Sequence, residues 1–302
     1  MTDYERPLSF GVSLEPSAGA WPQTRLLARR AEDSGLDYIA VQDHPYQPGH
    51  LEAWTLISHL SALTSRISFL TDVADLQLRP PVMLAKGAAS LSVLTDGRVQ
   101  LGVGGGGIPD AIASMGGPAR RGQDMVAYAE ESLGLLRTAL AGGGVQLHSP
   151  YHSIDGYHAG PVPPKPVGLW LGAQKSKMLA LAGRVADGWI SPLNIYVPPQ
   201  EVPSRQRIID EAAVEAGRDP RALRRVYNVT GAIGSLGGHR TGRGLVGDVQ
   251  QWVDTLTEWT LELGFDTFVF WPAADSERQL SLFTDEVVPA VRERVDAGRS
   301  ER

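Results

Sequence analysis

The segment that decides how this chain folds runs from Leu91 to Gly107, Leu-Ser-Val-Leu-Thr-Asp-Gly-Arg-Val-Gln-Leu-Gly-Val-Gly-Gly-Gly-Gly. Thr95-Asp96-Gly97 is typical of a turn, because short polar side chains hydrogen-bond locally and glycine accepts a positive φ. The residues from Arg98 to Val103 then predict a short strand, which the four glycines Gly104 to Gly107 follow. Because glycine loses much backbone entropy on folding, this run predicts that the backbone passes close to a flat or large group.

The glycine spacing formally matches the dinucleotide fingerprint through Gly102, Gly104 and Gly107. That fingerprint requires a long helix directly after the glycines and an acidic residue at the end of the next strand. Pro109 and then Gly116-Gly117-Pro118 interrupt any such helix. The sequence therefore predicts a glycine- and proline-rich loop here, with a plain surface turn as the alternative.

Outward from this segment, short apolar runs alternate with amphipathic helical patterns along the whole chain. The predicted strands span residues 8–14, 36–42, 66–71, 98–103, 167–171, 188–191, 223–233 and 267–271. They are apolar throughout, as expected for parallel strands that are covered on both faces. Repeated right-handed crossovers predict an α/β fold of the (β/α)8 TIM-barrel class, and a doubly wound open sheet is the alternative.

Nothing in the sequence marks a linker, so residues 1–302 are predicted to form a single domain. Two segments depart from the repeat. Residues 142–166 predict an irregular excursion with room for a small hairpin. Residues 234–247 are glycine-rich and predict a flap, whose Arg240 and Arg243 could meet an anionic cofactor tail; a plain surface loop is the alternative.

The composition and charge of the chain argue against several classes of function. The chain has 302 residues, of which 42% are hydrophobic and 21% charged, as in soluble globular proteins. The net charge of −6 favours neither a nucleic-acid partner nor a membrane surface. Cysteine is absent, which excludes disulfides, thiolate nucleophiles and zinc–thiolate sites. The first residues carry no secretion-signal pattern, so a cytoplasmic location is expected.

The histidines do not predict a metal site. His148 and His152 lie four residues apart, but Pro150 between them argues against a shared helix face. No third ligand is close in sequence.

The strongest chemical pair is Asp43-His44, which follows the second predicted strand. Active sites of TIM barrels lie at the carboxyl ends of the strands. A histidine titrates near neutral pH and can transfer a proton, and the adjacent carboxylate could orient the ring or hold it charged. The alternative is that Asp43 only caps the next segment. Glu15, after the first strand, is either a second acid or base or a solvated loop residue.

Other strand ends supply candidate binding residues. Free N–H groups at the start of the helix after strand five, together with Lys175, suit a phosphate, although ordinary first-turn lysines are the alternative. Trp271 could stack on a planar substrate or belong to the core. The candidates for cofactor and substrate binding are Thr71, Asp72, Val73, Gly104, Gly105, Gly106, Gly107, Gly172, Ala173, Gln174, Lys175, Asn194 and Trp271.

Four segments together resemble the luciferase-like monooxygenase superfamily, and the resemblance covers nearly the whole chain. They are Leu36-Asp-Tyr-Ile-Ala-Val-Gln-Asp-His44, Leu91 to Gly106, Leu169-Trp-Leu-Gly-Ala173 and Ala182-Gly-Arg-Val-Ala-Asp-Gly-Trp189. Within the superfamily, Asp-His after strand two and Gly-Val-Gly-Gly-Gly after strand four are similar to the branch that uses the 5-deazaflavin coenzyme F420.

The resemblance implies a flavin-type ring at the carboxyl-end mouth of the barrel. His44 would lie near its reactive carbon, and Asp43 would hydrogen-bond the cofactor. Asp72-Val73 would form a non-prolyl cis peptide bond, and Gly172 to Lys175 would hold the phosphate. Relatives that oxidise glucose 6-phosphate carry a glutamate at the position of Gly107, so that substrate is not expected here.

The resemblance therefore implies hydride transfer between coenzyme F420 and a small organic substrate, with His44 or Glu15 handling the proton. An FMN-dependent monooxygenase that uses reduced flavin and dioxygen is the alternative enzyme. A flavin-binding protein without turnover is the alternative from another class. Relatives commonly pair through barrel helices, so a homodimer is also expected.

Overall fold

The computed structural model describes residues 3–234 and 244–301. The strands in these residues are β1 Ser9–Ser13, β2 Tyr38–Val41, β3 Ser68–Thr71, β4 Ala74–Asp75, β5 Val99–Gly104, β6 Gly143–His148, β7 Ser153–Ala159, β8 Leu169–Gly172, β9 Gly188–Ser191, β10 Arg224–Ile233, β11 Leu245–Gly247 and β12 Thr267–Pro272. The α-helices are α1 Trp21–Asp33, α2 Ala53–Ser61, α3 Pro81–Leu94, α4 Pro109–Ser114, α5 Gly122–Ala141, α6 Ser176–Val185, α7 Val202–Glu215, α8 Val249–Leu261, α9 Ser276–Leu282 and α10 Val288–Ser300. Short 3-10 turns occupy Ala18–Ala20, Pro199–Glu201 and Pro220–Ala222, and a π-helical segment, Phe283–Val287, joins α9 to α10.

The main sheet closes on itself. Parallel hydrogen bonding runs in the order β1, β2, β3, β5, β8, β9, β10 and β12, and β12 pairs again with β1. The two short strands extend this barrel at its rim, where β4 pairs with β5 and β11 with β10. The predicted (β/α)8 barrel is therefore confirmed, and the open sheet is excluded by the β9–β10 and β12–β1 pairings.

Both faces of the barrel strands are covered, which explains why their sequences are apolar throughout. The larger core lies between strands and helices; there Phe10 of β1 stacks on Phe268 of β12, with ring centroids 6.0 Å apart. A smaller cluster fills the barrel interior with Ala40, Leu70, Trp170, Ile190, Val226 and Val269. The barrel interior is therefore packed core, and the ligand site typical of this fold lies at the carboxyl ends of the strands.

Two irregular segments are more ordered than their sequences indicate. The excursion at residues 142–166 contains the predicted hairpin, formed by antiparallel β6 and β7. In the predicted glycine- and proline-rich loop the structure has a short helix, α4, whose first residue is Pro109. A proline at the first helical position loses no intrahelical hydrogen bond, so it can begin a helix as well as end one.

Part of the predicted flap lies outside the described residues. Of the segment 234–247, the structure describes Gly234 and residues 244–247, which end in β11. Arg240 and Arg243 belong to the remainder. The single-domain assignment of residues 1–302 stays a prediction. In the described ranges, no helix is both long and apolar enough to cross a membrane.

Candidate active site

The carboxyl ends of the barrel strands open into a cavity of about 1080 Å³. Ligand cavities in proteins commonly have volumes of about 300 to 1,000 Å³, so this one has room for a tricyclic ring and a small second molecule. The predicted site residues that line it are Asp43, His44, Asp72, Val73, Gly104, Gly105, Gly106, Gly107, Gly172, Ala173, Gln174, Lys175 and Trp271.

Three predicted residues lie away from this cavity. Glu15 is exposed and lines a separate depression of about 150 Å³, which shares Gln42 and Trp271 with the main cavity. The Thr71 hydroxyl is buried and donates to the carbonyl of Gly102 at 2.7 Å. The Asn194 side-chain oxygen accepts from the backbone N–H of Thr230 at 3.0 Å. Thr71 and Asn194 thus brace the barrel rim, and their placement gives no support to a direct ligand contact.

Asp43 is bound by an arginine and not by its histidine neighbour. Arg79 donates from Nε to Asp43 Oδ2 at 2.6 Å and from Nη2 to Asp43 Oδ1 at 2.7 Å. Arg79 also pairs with Glu52, whose carboxylate caps the first turn of α2. In the described residues Asp43 makes no hydrogen bond to His44, because its carboxylate oxygens accept from Arg79 instead. A role for Asp43 in orienting the ring of His44 stays a prediction.

His44 lines the cavity as a half-buried ring that stacks on Tyr46, with ring centroids 5.4 Å apart and an interplanar angle of 22°. The pKa of His44 lies below its ordinary value of 6.5, mainly because burial disfavours the charged ring. Repulsion from His50 adds to this shift, and attraction to Asp43 opposes it. The imidazole is therefore neutral at neutral pH and can accept a proton.

The peptide bond between Asp72 and Val73 is cis, as the resemblance implies. A Cβ at Gly104 would lie 2.7 Å from Val73 Cγ2, and one at Gly172 would lie 3.1 Å from the same atom. The ends of β5 and β8 therefore lack side chains because Val73 fills the space between them.

The remaining glycines of the run have different surroundings. A Cβ at Gly106, where φ is +95°, would meet the amide of Gln77 at 2.4 Å. One at Gly105 would lie 3.2 Å from Met125, and nothing lies within 4 Å at Gly107. The bulky group that the glycine run predicts is thus mostly the protein itself, and only Gly107 faces open space.

A hydrogen-bonded chain crosses the cavity floor. Trp271 Nε1 donates to Asn228 Oδ1 at 2.9 Å, and Asn228 Nδ2 donates to Asp72 Oδ1 at 3.1 Å and to the carbonyl of Ser191 at 3.1 Å. Burial raises the pKa of Asp72 to about 7, although the hydrogen bond from Asn228 opposes that rise. Trp271 thus lines the cavity and holds the Asn228 amide through its indole N–H.

Positive side chains lie at the start of two helices along the cavity. Arg121 pairs with Asp110 at 2.6 Å, and the Arg120 guanidinium lies 4.8 Å from the ring centroid of Tyr151 in the hairpin turn. Lys175 precedes the first turn of α6 and, within residues 3–234 and 244–301, has no ion-pair or hydrogen-bond partner for its ammonium group. This rim can hold an anion.

Several lining residues escaped the sequence argument, namely Tyr46, Asp75, Arg120, Arg121, Met125 and Asn228. Asn228 carried a usable signal, since it is a polar residue inside the apolar run Val226 to Val229. Arg120-Arg121 is a basic pair inside the segment that was predicted to be a loop. The others depend on loop paths that no local pattern reveals.

His148 and His152 do not lie in the cavity. His152 Nδ1 lies 2.6 Å from Glu131 Oε1, and its ring stacks on Tyr128. His148 Nδ1 lies 3.3 Å from the hydroxyl of Ser153. The part of the chain that the structure describes has no cluster of three or more residues able to bind a metal ion.

Comparison with known proteins agrees with this geometry. The sequence profile of the luciferase-like monooxygenases matches residues 8–235. An uncharacterized protein of Mycobacterium tuberculosis is 30% identical over 186 residues, which are 54% of this chain and 63% of that protein. The phthiodiolone/phenolphthiodiolone dimycocerosates ketoreductase of the same species is 31% identical over 193 residues, 61% of this chain and 48% of that protein. The chain thus spans less than two thirds of these relatives.

Solved structures show the same fold at low identity. The coenzyme F420-dependent tetrahydromethanopterin reductase of Methanopyrus kandleri superposes with a TM-score of 0.79 at 19% identity, covering 94% of this chain and 99% of that one. An F420-dependent secondary alcohol dehydrogenase gives 0.83 at 18%, covering 95% and 99%. A long-chain alkane monooxygenase gives 0.80 at 13%, covering 96% and 92%. Since the family profile matches most of its length, this chain belongs to the luciferase-like monooxygenase family.

Proposed function

We propose that this protein is an oxidoreductase that transfers hydride between coenzyme F420 and a small organic substrate. The observation that carries the proposal is that His44 and the Asp72-Val73 segment line one large cavity together with Lys175, whose ammonium group has no partner among the described residues. A proton-transfer group, a ring site and an anion site are thus adjacent. The names of the ketoreductase relative and of the two F420-dependent structural neighbours agree with this chemistry.

The residues present fit a flavin-type group. Lys175 and the free N–H groups of the first turn of α6 would hold its phosphate. Arg120 and Arg121, which also line the cavity, would attract an anionic tail. Asp72 Oδ2 is buried and has no hydrogen-bond partner in the described residues, so the cavity floor holds an unsatisfied polar atom. When bound, the deazaflavin supplies a ring carbon that takes up or releases a hydride.

The protein's own contribution is to position and protonate the substrate. When an alcohol is oxidised, neutral His44 accepts the hydroxyl proton on a ring nitrogen as the hydride leaves the substrate carbon. In the reverse direction the imidazolium returns that proton to the carbonyl oxygen. Arg79 fixes the backbone beside His44 by holding Asp43, and Tyr46 covers one face of the His44 ring.

One observation favours the FMN-dependent monooxygenase as a second candidate. The F420 interpretation expects Asp43 to hydrogen-bond the cofactor, yet the two oxygens of Asp43 already accept from Arg79. Monooxygenases are also among the structural neighbours. A flavin-binding protein without turnover predicts tight cofactor binding and no loss of function in His44→Ala.

Titration of the purified protein with F420 and with FMN, read by fluorescence quenching, tests the proposal. We expect F420 to bind more tightly and simple alcohols to reduce it. Tighter binding of FMN, with oxygen consumption by the reduced complex, would establish the monooxygenase instead. If neither cofactor binds, both enzyme proposals fail.

The phosphate contact has a separate control. Lys175→Gln should weaken FMN binding about tenfold, because a charge-assisted hydrogen bond is lost, and should leave riboflavin, which has no phosphate, unchanged. Lys165→Gln is the matched control, since Lys165 is an exposed lysine that pairs with Asp96 away from the cavity. If Lys175→Gln weakens the binding of FMN and of riboflavin equally, Lys175 does not contact the phosphate.

A further inference from the structure

A smaller depression adjoins the active cavity at the end of β1. This β1 depression has a volume of about 150 Å³, and its lining residues include Ser13, Glu15, Gln42 and Trp271. Gln42 and Trp271 also line the cavity, so they lie where the two spaces adjoin. In the closed barrel β1 lies between β2, which leads into Gln42, and β12, which contains Trp271. His44, the proton-transfer group, follows Gln42 by two residues.

The alternation of side chains along the strands shows which way these residues point. Successive side chains of a strand lie on opposite faces of the sheet. The neighbours of Ser13 in β1 belong to the core between strands and helices, so Ser13 faces the barrel interior. The residues two positions before Gln42 and before Trp271 belong to the interior cluster, so these two side chains face inward as well. All three therefore belong to the top layer of the barrel, at its mouth.

Three hydrogen-bonding side chains of the β1 depression are not used by the protein. Within residues 3–234 and 244–301, the Ser13 hydroxyl, the Glu15 carboxylate and the Gln42 amide have no hydrogen-bond or ion-pair partner. Ser13 is only 8% exposed, and a polar side chain this buried normally has a partner. No lysine, arginine or histidine of the described chain lines the β1 depression. It therefore offers hydrogen-bond acceptors and a negative charge that no cation neutralises.

The cations of the active cavity lie across the barrel mouth from this depression. Lys175 and Lys177 follow β8, and Arg120 and Arg121 lie between β5 and β8 in the chain. In the order of the closed barrel, β8 is four strands away from β1 in either direction. None of the four cations lines the β1 depression. An anionic group held after β8 and a cationic group held over β1 would therefore occupy opposite sides of the mouth.

We propose that the β1 depression binds the ammonium group of an amino alcohol or amino ketone substrate whose reacting carbon lies in the cavity beside His44. An ammonium group has three N–H donors and no acceptor, which matches the unused oxygens of Ser13, Glu15 and Gln42. The volume of about 150 Å³ suits a group of a few heavy atoms, since one water molecule takes about 30 Å³ of the liquid. The inference rests on the proposed function in taking the cavity as the active site, and it names the substrate class.

NMR titration of the purified protein with two alcohols tests the proposal. 5-amino-2-pentanol carries the ammonium group, and 2-hexanol has a methyl group in its place. The ratio of their affinities should fall about fivefold in Glu15→Gln, because an exposed charge pair is lost. Gln42→Leu should lower this ratio as well, because one acceptor is lost. In the wild type, the anion 4-hydroxypentanoate should bind more weakly than 2-hexanol.

Glu215→Gln is the matched control. It removes an exposed carboxylate of α7 that lines neither the cavity nor the β1 depression, and it should leave the ratio unchanged. An unchanged ratio in both Glu15→Gln and Gln42→Leu overturns the proposal. A fall in Glu215→Gln as large as that in Glu15→Gln also overturns it, because the preference would then reflect the net charge of −6.

Steady-state kinetics with F420 separate this inference from the proposed function. If the binding preference depends on Glu15 but no alcohol reduces F420, the proposed function fails and the ammonium site stands. If 2-hexanol reduces F420 and the preference for the amino alcohol does not depend on Glu15, the ammonium site fails alone.

Discussion

Arg79 holds Asp43 through two parallel hydrogen bonds of 2.6 and 2.7 Å, and the Asp43 side chain retains only 1% of its exposure. A carboxylate this buried depends on its partner, because the protein interior solvates a lone charge poorly. The pair also links the loop after β4 to the end of β2, where His44 begins the cavity wall.

Arg79→Leu should therefore lower the free energy of unfolding by about 3 kcal/mol, since it leaves Asp43 buried and unpaired. Urea denaturation of the variant measures this loss. Adding Asp43→Asn should restore part of it by removing the stranded charge. Arg30→Leu, which breaks the exposed pair with Glu277, is the control and should cost no more than about 1 kcal/mol. Equal losses in both single variants would contradict this account of Asp43.

The raised pKa of Asp72 should make Asp72→Asn increasingly stabilising as pH rises. The folded state binds the Asp72 proton more tightly than the unfolded state. The contribution of this proton to the free energy of unfolding is therefore complete below the unfolded pKa. It is lost as pH rises through the folded pKa of about 7. Variant and wild type should thus be equally stable near the ordinary carboxyl pKa and differ by up to about 4 kcal/mol in alkaline solution. Thermal melts across this range measure the difference, and a constant difference would contradict the shift.

His44→Gln should lower the rate of F420 reduction by an alcohol by about 10²- to 10⁴-fold while leaving cofactor affinity nearly unchanged. In the wild type the rate should fall as pH drops through the His44 pKa, which lies below 6.5, because the imidazolium cannot accept a proton. Steady-state kinetics against pH test both statements. His59→Gln changes an exposed histidine on α2 and should have no effect. If the fall in rate at low pH persists in His44→Gln, a group other than His44 transfers the proton.

The glycine run offers a matched pair of substitutions. Gly104→Ala should destabilise the protein by about 1 to 3 kcal/mol, because its Cβ would lie 2.7 Å from Val73. Gly107→Ala meets nothing within 4 Å and should change stability by less than about 0.5 kcal/mol. Chemical denaturation compares the two variants. If Gly107→Ala instead abolishes cofactor binding with unchanged stability, this position lies against the ligand.

The homodimer stays a prediction, and α3 is where we expect it to form. This helix exposes Met83, Val93 and Leu94, with 64%, 47% and 81% of their surface accessible. Exposed apolar clusters commonly mark protein interfaces. Sedimentation should show a dimer that Leu94→Glu converts to a folded monomer. Val214→Glu, at an exposed valine of α7, should leave the dimer intact.

The fold was predictable because it depends on short-range patterns. Each barrel strand is an apolar run bounded by turn residues, and the run at residues 188–191 coincides with β9 as observed. The pairing that closes the barrel follows from the repeated crossover rule and not from any one strand. The sequence does not indicate α4, because proline both interrupts helices and is favoured at their first position, where Pro109 lies.

The site was predictable only in outline. Strand ends identify Asp43, His44, Asp72 and Lys175, since a barrel brings those positions to one rim whatever its loops do. Side-chain partners were beyond reach, because Arg79 and Asn228 approach from other segments of the chain. No pattern in the sequence therefore indicates that Asp43 accepts from Arg79.

The hairpin of β6 and β7 carries Tyr151, against which the Arg120 guanidinium lies at the cavity rim. The hairpin is an insertion whose two strands pair only with each other and not with the barrel sheet. It is held instead through side chains, with Val145 buried in the main core and His152 hydrogen-bonded to Glu131 of α5. A change in the turn that carries Tyr151 would therefore alter what Arg120 contacts at the cavity rim while leaving the strand pairing of the barrel unchanged.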